Sequence, residues 1–187
     1  MPRSGDDARR RLQGAALELW SQHGYEAVTT AEIAARAGVT PRTFFRHFPD
    51  KREVLFDSAA TMSGILRETV AAAPSGLTPL ELVRCAFTAL APLFEPNRPF
   101  VALRHSVIAQ TPALRERELA KGALLTEALA AALAARGIAP RRAALAAQTS
   151  MAAFNHAFEA WAQAPGESFD AHIAQAFDEL ESLVSRG

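Results

Sequence analysis

The sequence predicts an all-α fold, and three observations lead to it. Apolar residues recur at helical spacing along most of the 187-residue chain. Threonine or proline signals that are typical of helix starts precede these stretches, and glycine or proline follows them. Hydrophobic residues make up 49% of the sequence, many of them in alanine-rich runs, so the chain can bury a substantial core.

The first helix is predicted from Ala8 to His23. Its apolar positions fall on one face and comprise Leu12, Ala15, Ala16, Leu19 and Trp20. Gly24 follows at the place where a helix end favours a left-handed backbone. The preceding segment, Met1–Asp7, is polar and contains a proline and a glycine, so we expect a flexible arm there.

Two short helices joined by a tight turn are predicted next. Thr29 and Glu32 form a capping box, in which each side chain accepts a hydrogen bond from the other residue's backbone amide. Gly38 follows the first of these helices, and Thr40 with Pro41 starts the second. This arrangement is typical of a helix-turn-helix.

The second of these helices is predicted to have two different faces. At about 100° per residue, Phe44 and Phe48 fall on one side, whereas Arg42 and Arg46 fall on the other. Two arginines four positions apart repel each other weakly, but a polyanion turns that cost into attraction. A solvated helix face is the alternative; the capped, glycine-broken context favours a helix that enters the DNA major groove.

A specific pattern runs from the helix at Arg9 to Lys51, and it consists of Gly24-Tyr25, Thr29, Ile33-Ala34, Ala37-Gly38-Val39, Phe48 and Lys51. On these residues the segment resembles the DNA-binding domain of the TetR family of bacterial transcriptional regulators. The resemblance implies that DNA contacts come from Thr30, Thr40, Pro41, Arg42, Thr43, Phe45, Arg46, His47 and Lys51, with the last two on phosphates. Arg42 replaces a small residue of the family pattern, and Phe45 replaces a tyrosine whose hydroxyl can bond a phosphate.

Basic residues near the N-terminus offer further DNA contacts. Arg3 could reach DNA from the expected arm. The cluster Arg9-Arg10-Arg11 fits a phosphate contact and plain solubility equally well. Residues 1–52 contain nine Lys/Arg and six Asp/Glu, whereas residues 53–187 contain eleven and fourteen, so the net charges are +3 and −3. We expect a DNA-binding domain over 1–52 and an effector-binding and dimerisation domain over 53–187.

The remaining chain is predicted to form further helices. One begins near Lys51 and ends at Pro74-Ser75-Gly76, and the next opens with the capping box of Thr78 and Glu81 and is broken by Pro92. Three more follow near 100–109, 112–136 and 140–163, and a last one spans about 168–185. Cys85, among apolar neighbours, is expected to be a buried small hydrophobe.

A second pattern comprises Thr111-Pro112-Ala113-Leu114-Arg115, the alanine-rich run that ends with Ala135-Arg136-Gly137, and Ala157-Phe158 with Trp161. On these residues the segment from Thr111 to Trp161 resembles the sensor domain of actinobacterial, mycofactocin-regulator-like members of the same family. That resemblance implies a pocket for a small lipophilic effector, with acyl compounds as candidates. Its predicted lining is Phe87, Phe94, Phe100, His105, Phe154, Asn155, Phe158 and Trp161. Each of these residues is also compatible with ordinary core packing.

The resemblance further implies a homodimer through the last two helices, while packing of their apolar faces within one chain is the alternative. The predicted function is a ligand-responsive repressor on a palindromic operator. A helical enzyme or carrier and a nonspecific DNA binder are the competing classes. The sequence lacks nucleotide-binding, nucleophile-elbow and zincin motifs, so we expect no catalysis, metal or cofactor. It also lacks an apolar membrane span, so we expect a cytoplasmic protein.

Overall fold

The computed structural model describes residues 3–164 and 166–184, and α-helices dominate these two ranges. Short 3₁₀ helices cover Arg52–Leu55 and Glu95–Asn97. The α-helices are α1 (Arg3–His23), α2 (Thr30–Arg36), α3 (Pro41–His47), α4 (Ala59–Ala72), α5 (Pro79–Thr88), α6 (Ala91–Phe94), α7 (Arg98–Gln110), α8 (Pro112–Ala135), α9 (Pro140–Gln163) and α10 (Phe169–Val184). No helix in the described part of the chain is both long enough and apolar enough to span a bilayer.

The chain divides into two compact units. The N-terminal unit comprises the described residues up to Ser58 together with Pro99–Leu119. The C-terminal unit comprises Ala59–Arg98 and the described residues from Ala120 onward. The N-terminal unit therefore contains most of α7 and the beginning of α8, which lie far from α1–α3 in sequence.

The core of the N-terminal unit forms where α1, α2 and α3 meet. Leu12, Ile33 and Phe44 are fully buried in it, and Val107, Ile108 and Leu114 join it from α7 and α8. The structure confirms the predicted caps. Thr29 and Glu32 exchange both capping-box hydrogen bonds, and the Thr40 side chain accepts one from the Thr43 amide. Gly38 has a φ of 66°, so the turn between α2 and α3 requires the left-handed backbone that glycine tolerates.

Polar contacts attach α7 and α8 to the rest of the N-terminal unit. The Arg104 guanidinium donates to the Leu55 carbonyl at 2.8 Å and to the Glu118 carboxylate at 2.7 Å. The Arg117 guanidinium bonds the Glu53 carboxylate. Arg104 thereby satisfies the carbonyl at the end of the first 3₁₀ helix, and the two carboxylate contacts add ion pairs within the unit.

Two sequence predictions about helix boundaries are wrong. The helix α1 begins at Arg3, so the described part of Met1–Asp7 is helical rather than a flexible arm, while Met1 and Pro2 lie outside the described residues. Asp6 in the first turn complements the helix dipole, and the buried Ala8 anchors this turn to the core. The helix expected from Lys51 to the proline near position 74 is also interrupted, because residues 56–58 separate the 3₁₀ turn from α4. The Arg3 side chain is not described, so its contact with DNA stays a prediction.

The C-terminal unit packs α9 against α10 and α5. The expected capping box opens α5, with the Thr78 amide donating to Glu81 at 2.7 Å. Arg98 donates to the carbonyls of Trp161, Ala164 and Glu167, so it closes the C-terminal end of α9. The predicted first and last residues of α9 agree with its observed bounds, Pro140–Gln163.

The burial predicted for Cys85 is also wrong, since its side chain is exposed. The helix α5 buries Leu82, Val83, Ala86 and Phe87, and these four residues define one face. Cys85 falls outside that arc, on the side shared with the exposed Arg84. Apolar neighbours in sequence therefore do not place a helical residue in the core, because they need not share its face.

Candidate nucleic-acid interface and effector site

The helix α3 presents a buried aromatic face and an exposed basic face. Phe44 has no exposed surface, and Phe48, the residue that ends the helix, is 1% exposed. Arg42 and Arg46 are both exposed on the opposite side, as the sequence predicts. Burial of the two rings therefore fixes which side of α3 can meet a partner.

The cations between Arg9 and Arg52 fall into two groups. Five of them bond carboxylates or backbone carbonyls: Arg9, Arg11, Arg36, Lys51 and Arg52. In contrast, Arg10, Arg42 and Arg46 make no hydrogen bond or ion pair with any residue that the structure describes. The two arginines on the outer face of α3 therefore keep all their donors available for an external anion.

The neighbouring predicted contacts on α2 and α3 differ in accessibility. Phe45 is 55% exposed, and its ring touches only the edge of Phe44 within the aromatic set, with centroids 5.3 Å apart. Pro41 is exposed at the first position of α3, whereas Thr30 is half-buried at the start of α2. The exposed ring of Phe45 offers an apolar surface suited to a thymine methyl group.

The hydroxyl groups of Thr40 and Thr43 already have partners within the protein. The Thr40 hydroxyl oxygen accepts from the Thr43 amide at 3.2 Å, and the two hydroxyl oxygens lie 3.1 Å apart. Thr40 is exposed and Thr43 is half-buried. A hydroxyl has one donor and two acceptor positions, so the Thr40 hydroxyl keeps capacity for one further bond and the Thr43 hydroxyl for two.

His47 lies at the end of α3 in a half-buried position. Its Nε2 is enclosed and has no hydrogen-bond partner among the described residues. Burial lowers the pKa of the His47 imidazole, and the charges of Arg46 and Arg9 lower it further. Any phosphate contact of this ring therefore has to come from Nδ1, and the neutral form is favoured near pH 7.

Lys51 is half-buried, and its ammonium group makes three internal contacts. It donates to the carbonyl oxygens of Tyr25 and Val28 at 2.8 and 3.0 Å, and it lies 4.0 Å from the centre of the Tyr25 ring. Burial raises the pKa of this tyrosine, so its hydroxyl stays neutral at ordinary pH. The family resemblance implied a phosphate contact for Lys51, and the sequence did not reveal these internal acceptors.

Five of the predicted effector residues form one aromatic cluster in the C-terminal unit. Its members are Phe87, Phe94, Phe154, Phe158 and Trp161. The closest pair, Phe87 and Phe154, has ring centroids 4.6 Å apart. Phe169 and Phe177 of α10 extend this aromatic cluster, and the helical spacing of α10 could have revealed them. The rings contact one another directly.

The other predicted effector residues lie elsewhere. Phe100 packs against the core of the N-terminal unit, and His105 is half-buried on α7 in that same unit. Asn155 is exposed on α9, whereas its neighbour Phe154 is buried. Periodicity could have separated Asn155 from Phe154, because successive helical residues point about 100° apart.

Two polar atoms of α9 are buried, and one of them belongs to Trp161 of the aromatic cluster. The Ser150 hydroxyl and the Trp161 indole nitrogen have no hydrogen-bond partner among the described residues. Both residues are 0% exposed. Leaving a buried donor unpaired costs about 1–3 kcal/mol, so an acceptor atom of a ligand would relieve that cost. Sequence reasoning missed Ser150, although its position four residues from both Ala146 and Phe154 places it on the buried face of α9.

Grooves on the surface of the C-terminal unit are lined by other residues. One, of about 360 Å³, lies between α8 and α9 and is lined by Ala123, Thr126, Glu127, Ala130, Ala144 and Gln148. Another, of about 390 Å³, includes Thr78, Gly137 and Arg142. Neither groove contains a predicted effector residue. In the described ranges, no group of three or more His, Cys, Asp or Glu residues is arranged to hold a metal ion.

Family models match both parts of the chain. Residues 14–57, which contain α2 and α3, match the model for bacterial regulatory proteins of the tetR family. Residues 77–185 match the model of the MftR C-terminal domain, which spans more than half of the chain. The two family matches therefore extend over α3 and over the aromatic cluster.

Individual relatives agree with these family models. The chain is 26% identical to the putative mycofactocin biosynthesis transcriptional regulator MftR of Mycobacterium tuberculosis, covering 100% of this chain and 98% of MftR. It is 38% identical over 82 residues to the HTH-type transcriptional regulator TcmR of Streptomyces glaucescens, which covers 44% of this chain but only 36% of TcmR. Among solved structures, the TetR-family repressor FadR of Thermus thermophilus, in complex with lauroyl-CoA, is 25% identical, with a TM-score of 0.59 and 96% of each chain covered.

Proposed function

The chain belongs to the TetR family of DNA-binding transcriptional regulators, and from this premise we propose that it is a ligand-responsive repressor. It acts in the cytoplasm as a homodimer on a palindromic operator. Members of this family are regulators rather than enzymes. In this proposal α3 reads the major groove, and a small lipophilic effector binds in the C-terminal unit.

The observation that carries the proposal is the pair of arginines on α3. Arg42 and Arg46 are exposed and unpaired with respect to the described residues, whereas five nearby cations have internal partners. A bidentate arginine suits guanine O6 and N7, and the exposed ring of Phe45 suits a thymine methyl. Thr30, Thr40, Pro41, Thr43 and His47 complete the proposed contact surface.

A homodimer is proposed because one short reading helix makes few base contacts. Two such helices on a twofold axis would read two half-sites about one helical turn apart. The apolar faces of α9 and α10 that the sequence suggested for this purpose are occupied within the chain, since Ala147, Phe154 and Ile173 are buried there. A contact between two protomers therefore needs other, exposed positions of α9 and α10. Leu145 and Leu183, which are 64% and 79% exposed, are the candidates.

The effector is proposed to enter the aromatic cluster around Trp161. The support is the grouping of five predicted residues, the unpaired donors of Ser150 and Trp161, and the lauroyl-CoA bound by the similar FadR. Because the rings contact one another, an effector has to separate them as it binds. That requirement couples binding to a change of conformation, and release of DNA follows if the effector prefers the changed state.

Fluorescence anisotropy with DNA tests the regulatory role directly. The protein is titrated into the intergenic fragment upstream of its own gene and into a scrambled fragment, each at two salt concentrations. We expect tight, salt-sensitive binding to the native fragment only. Equal weak binding to both fragments would show that the operator does not lie upstream of this gene. The operator would then be selected from a pool of genomic fragments. Absence of binding to any selected fragment would contradict the function itself.

A second titration tests the effector site. Trp20→Phe leaves Trp161 as the single tryptophan, because the chain contains two. Lauroyl-CoA and free fatty acids are added while the Trp161 emission is followed, and the DNA complex is then challenged with the same compounds. A saturable change in emission together with loss of DNA binding is expected. An unchanged emission during release of DNA would place the effector elsewhere.

A further inference from the structure

The contacts of Lys51 distinguish it from the exposed arginines of α3. An ammonium group has three donors, and two of them are directed to the carbonyls of Tyr25 and Val28. The Tyr25 ring, 4.0 Å from Nζ, occupies a further side of the group. With these two bonds kept, Lys51 has at most one donor left for a phosphate.

The two carbonyls belong to the connection between α1 and α2. The helix α1 ends at His23, and Thr29 caps α2, so Tyr25 and Val28 lie in the short segment between them. Tyr25 also packs edge-on against Trp20, with ring centroids 5.1 Å apart. Lys51 lies just after α3, and its bonds therefore join the end of the helix-turn-helix to its beginning.

Two arginines of α1 make comparable bonds at the other ends of the motif. Arg11 donates to the carbonyl of Ala37, which ends α2, at 2.9 Å. Arg9 donates to the carbonyl of His47, at the end of α3, at 3.2 Å, and its guanidinium lies 5.2 Å from the centre of the Phe48 ring. Thus each boundary of α2 and α3 that lacks a side-chain cap of its own has a carbonyl held by a cation.

We propose that Lys51 is a positioning residue that sets the orientation of α3 through the carbonyls of Tyr25 and Val28, rather than a phosphate contact. The inference rests on the proposed DNA-binding function and refines it. Arg42 and Arg46 then supply the charge that DNA meets, while Lys51, assisted by Arg9 and Arg11, holds the helix that carries them. Removing Lys51 leaves two half-buried carbonyls unpaired, so the segment before α2 and the helices after it shift.

The dependence of binding on salt separates the two roles. Each phosphate neutralised by a protein cation contributes about 0.9 to the slope of log K against log salt concentration. Lys51→Met and Arg46→Met are compared with the unchanged protein on the tightest-binding fragment found above and on its scrambled version. Methionine keeps most of the apolar stem and removes every donor, and Arg46→Met is the matched loss of an exposed cation.

We expect Arg46→Met to reduce the slope by about 0.9. For Lys51→Met we expect an unchanged slope and about a tenfold lower ratio of operator to scrambled affinity, the loss of roughly one well-placed base contact. A slope reduced by about 0.9 in Lys51→Met would overturn the proposal and restore the phosphate contact. An unchanged slope and an unchanged ratio, with only a lower Tm, would overturn it in favour of a purely structural role.

Lys51→Gln keeps the test decisive if the methionine variant does not fold. Glutamine retains an uncharged amide donor for one carbonyl, so we expect it to recover part of the specificity ratio with the original slope. Loss of slope in this variant would again count against positioning. If the unchanged protein shows no salt-dependent binding to any fragment, the proposed function itself fails and this inference fails with it, a result distinct from failure in the variants alone.

Discussion

The side chains on the outer face of α3 and those in the aromatic cluster of the C-terminal unit differ in whether they have partners within the protein. On α3, Arg42 and Arg46 are exposed and have no partner among the described residues. In the aromatic cluster, Phe87 and Trp161 are 1% and 0% exposed, and neighbouring rings take up their surfaces. One surface is ready for a partner, whereas the other is already filled.

The two binding events of the proposed function therefore have different energetic demands. DNA at α3 would meet free cations, so its association would require no loss of internal contacts and would depend strongly on salt. An effector at the aromatic cluster has to replace ring contacts, so part of its binding energy goes into rearranging the protein. Because binding would require this rearrangement, an effector would change the conformation of the protein and not only fill a site.

The largest expected effect separates the two faces of α3 itself. Phe44→Ala removes a ring that has no exposed surface, and it should lower the free energy of unfolding by about 3–5 kcal/mol. Phe45→Ala is the matched control, because its ring is 55% exposed and its loss should change stability by less than about 0.5 kcal/mol. Urea denaturation followed by circular dichroism measures both. Similar losses in the two variants would contradict the division of α3 into two faces.

The next effect concerns DNA affinity at unchanged stability. Arg42→Ala should weaken binding to the operator by about 1–3 kcal/mol and relax the base preference at one position. Arg67→Ala removes another exposed arginine, from α4 in the C-terminal unit, and should leave binding unchanged. Anisotropy on operator variants provides the measurement. Equal weakening on operator and random DNA would show that Arg42 does not read bases.

The two capping boxes allow the same change in each unit. Thr29→Ala and Thr78→Ala each remove a hydroxyl that accepts a backbone amide hydrogen, and each should cost about 1 kcal/mol of stability. Only Thr29→Ala should also weaken DNA binding, because α2 supports α3. Thermal unfolding and anisotropy are measured in parallel. Weaker DNA binding in Thr78→Ala as well would mean that loss of a cap acts through overall stability rather than through the support that α2 gives to α3.

The smallest expected effect is a dependence of stability on pH from His47. Its pKa is lowered by burial and then by Arg46 and Arg9, so the folded state binds a proton less readily than the unfolded state. This contribution to stability is therefore fully present above the ordinary histidine pKa of about 6.5, and it is lost as the pH falls below that value. Tm values at pH 8 and pH 5.5 should differ less in His47→Gln than in the unchanged protein. His23→Gln, at an exposed histidine, is the control, and an equal change there would assign the effect to another cause.

The helix-turn-helix was predictable from short-range patterns. The caps at Thr29 and Thr40, the turn at Gly38 and the burial of Phe44 all follow from residues within a few positions of one another. The family models and the solved fold confirm the all-α class with this motif at its start. The start of α1 and the interruption after Leu55 were missed, because packing against other elements decides them.

The candidate effector site was predictable only in part. Five aromatic residues do meet, but Phe100 and Asn155 do not join them. Composition indicated that aromatic residues were available for a cluster. It did not indicate which ones share a face of α9 or belong to the same unit, because those relations depend on helix rotation and on long-range packing.

Near neighbours in the sequence decide where most helices begin and end and which face of α3 carries charge, because capping and helical periodicity act over a few positions. Which cations remain free depends instead on long-range packing. Lys51 meets the carbonyls of Tyr25 and Val28 across more than 20 positions of chain, and Arg11 meets Ala37 across 26. A cationic residue in a sequence shows that an anion can be bound. Folding determines whether a backbone carbonyl of the protein already accepts its hydrogen bonds.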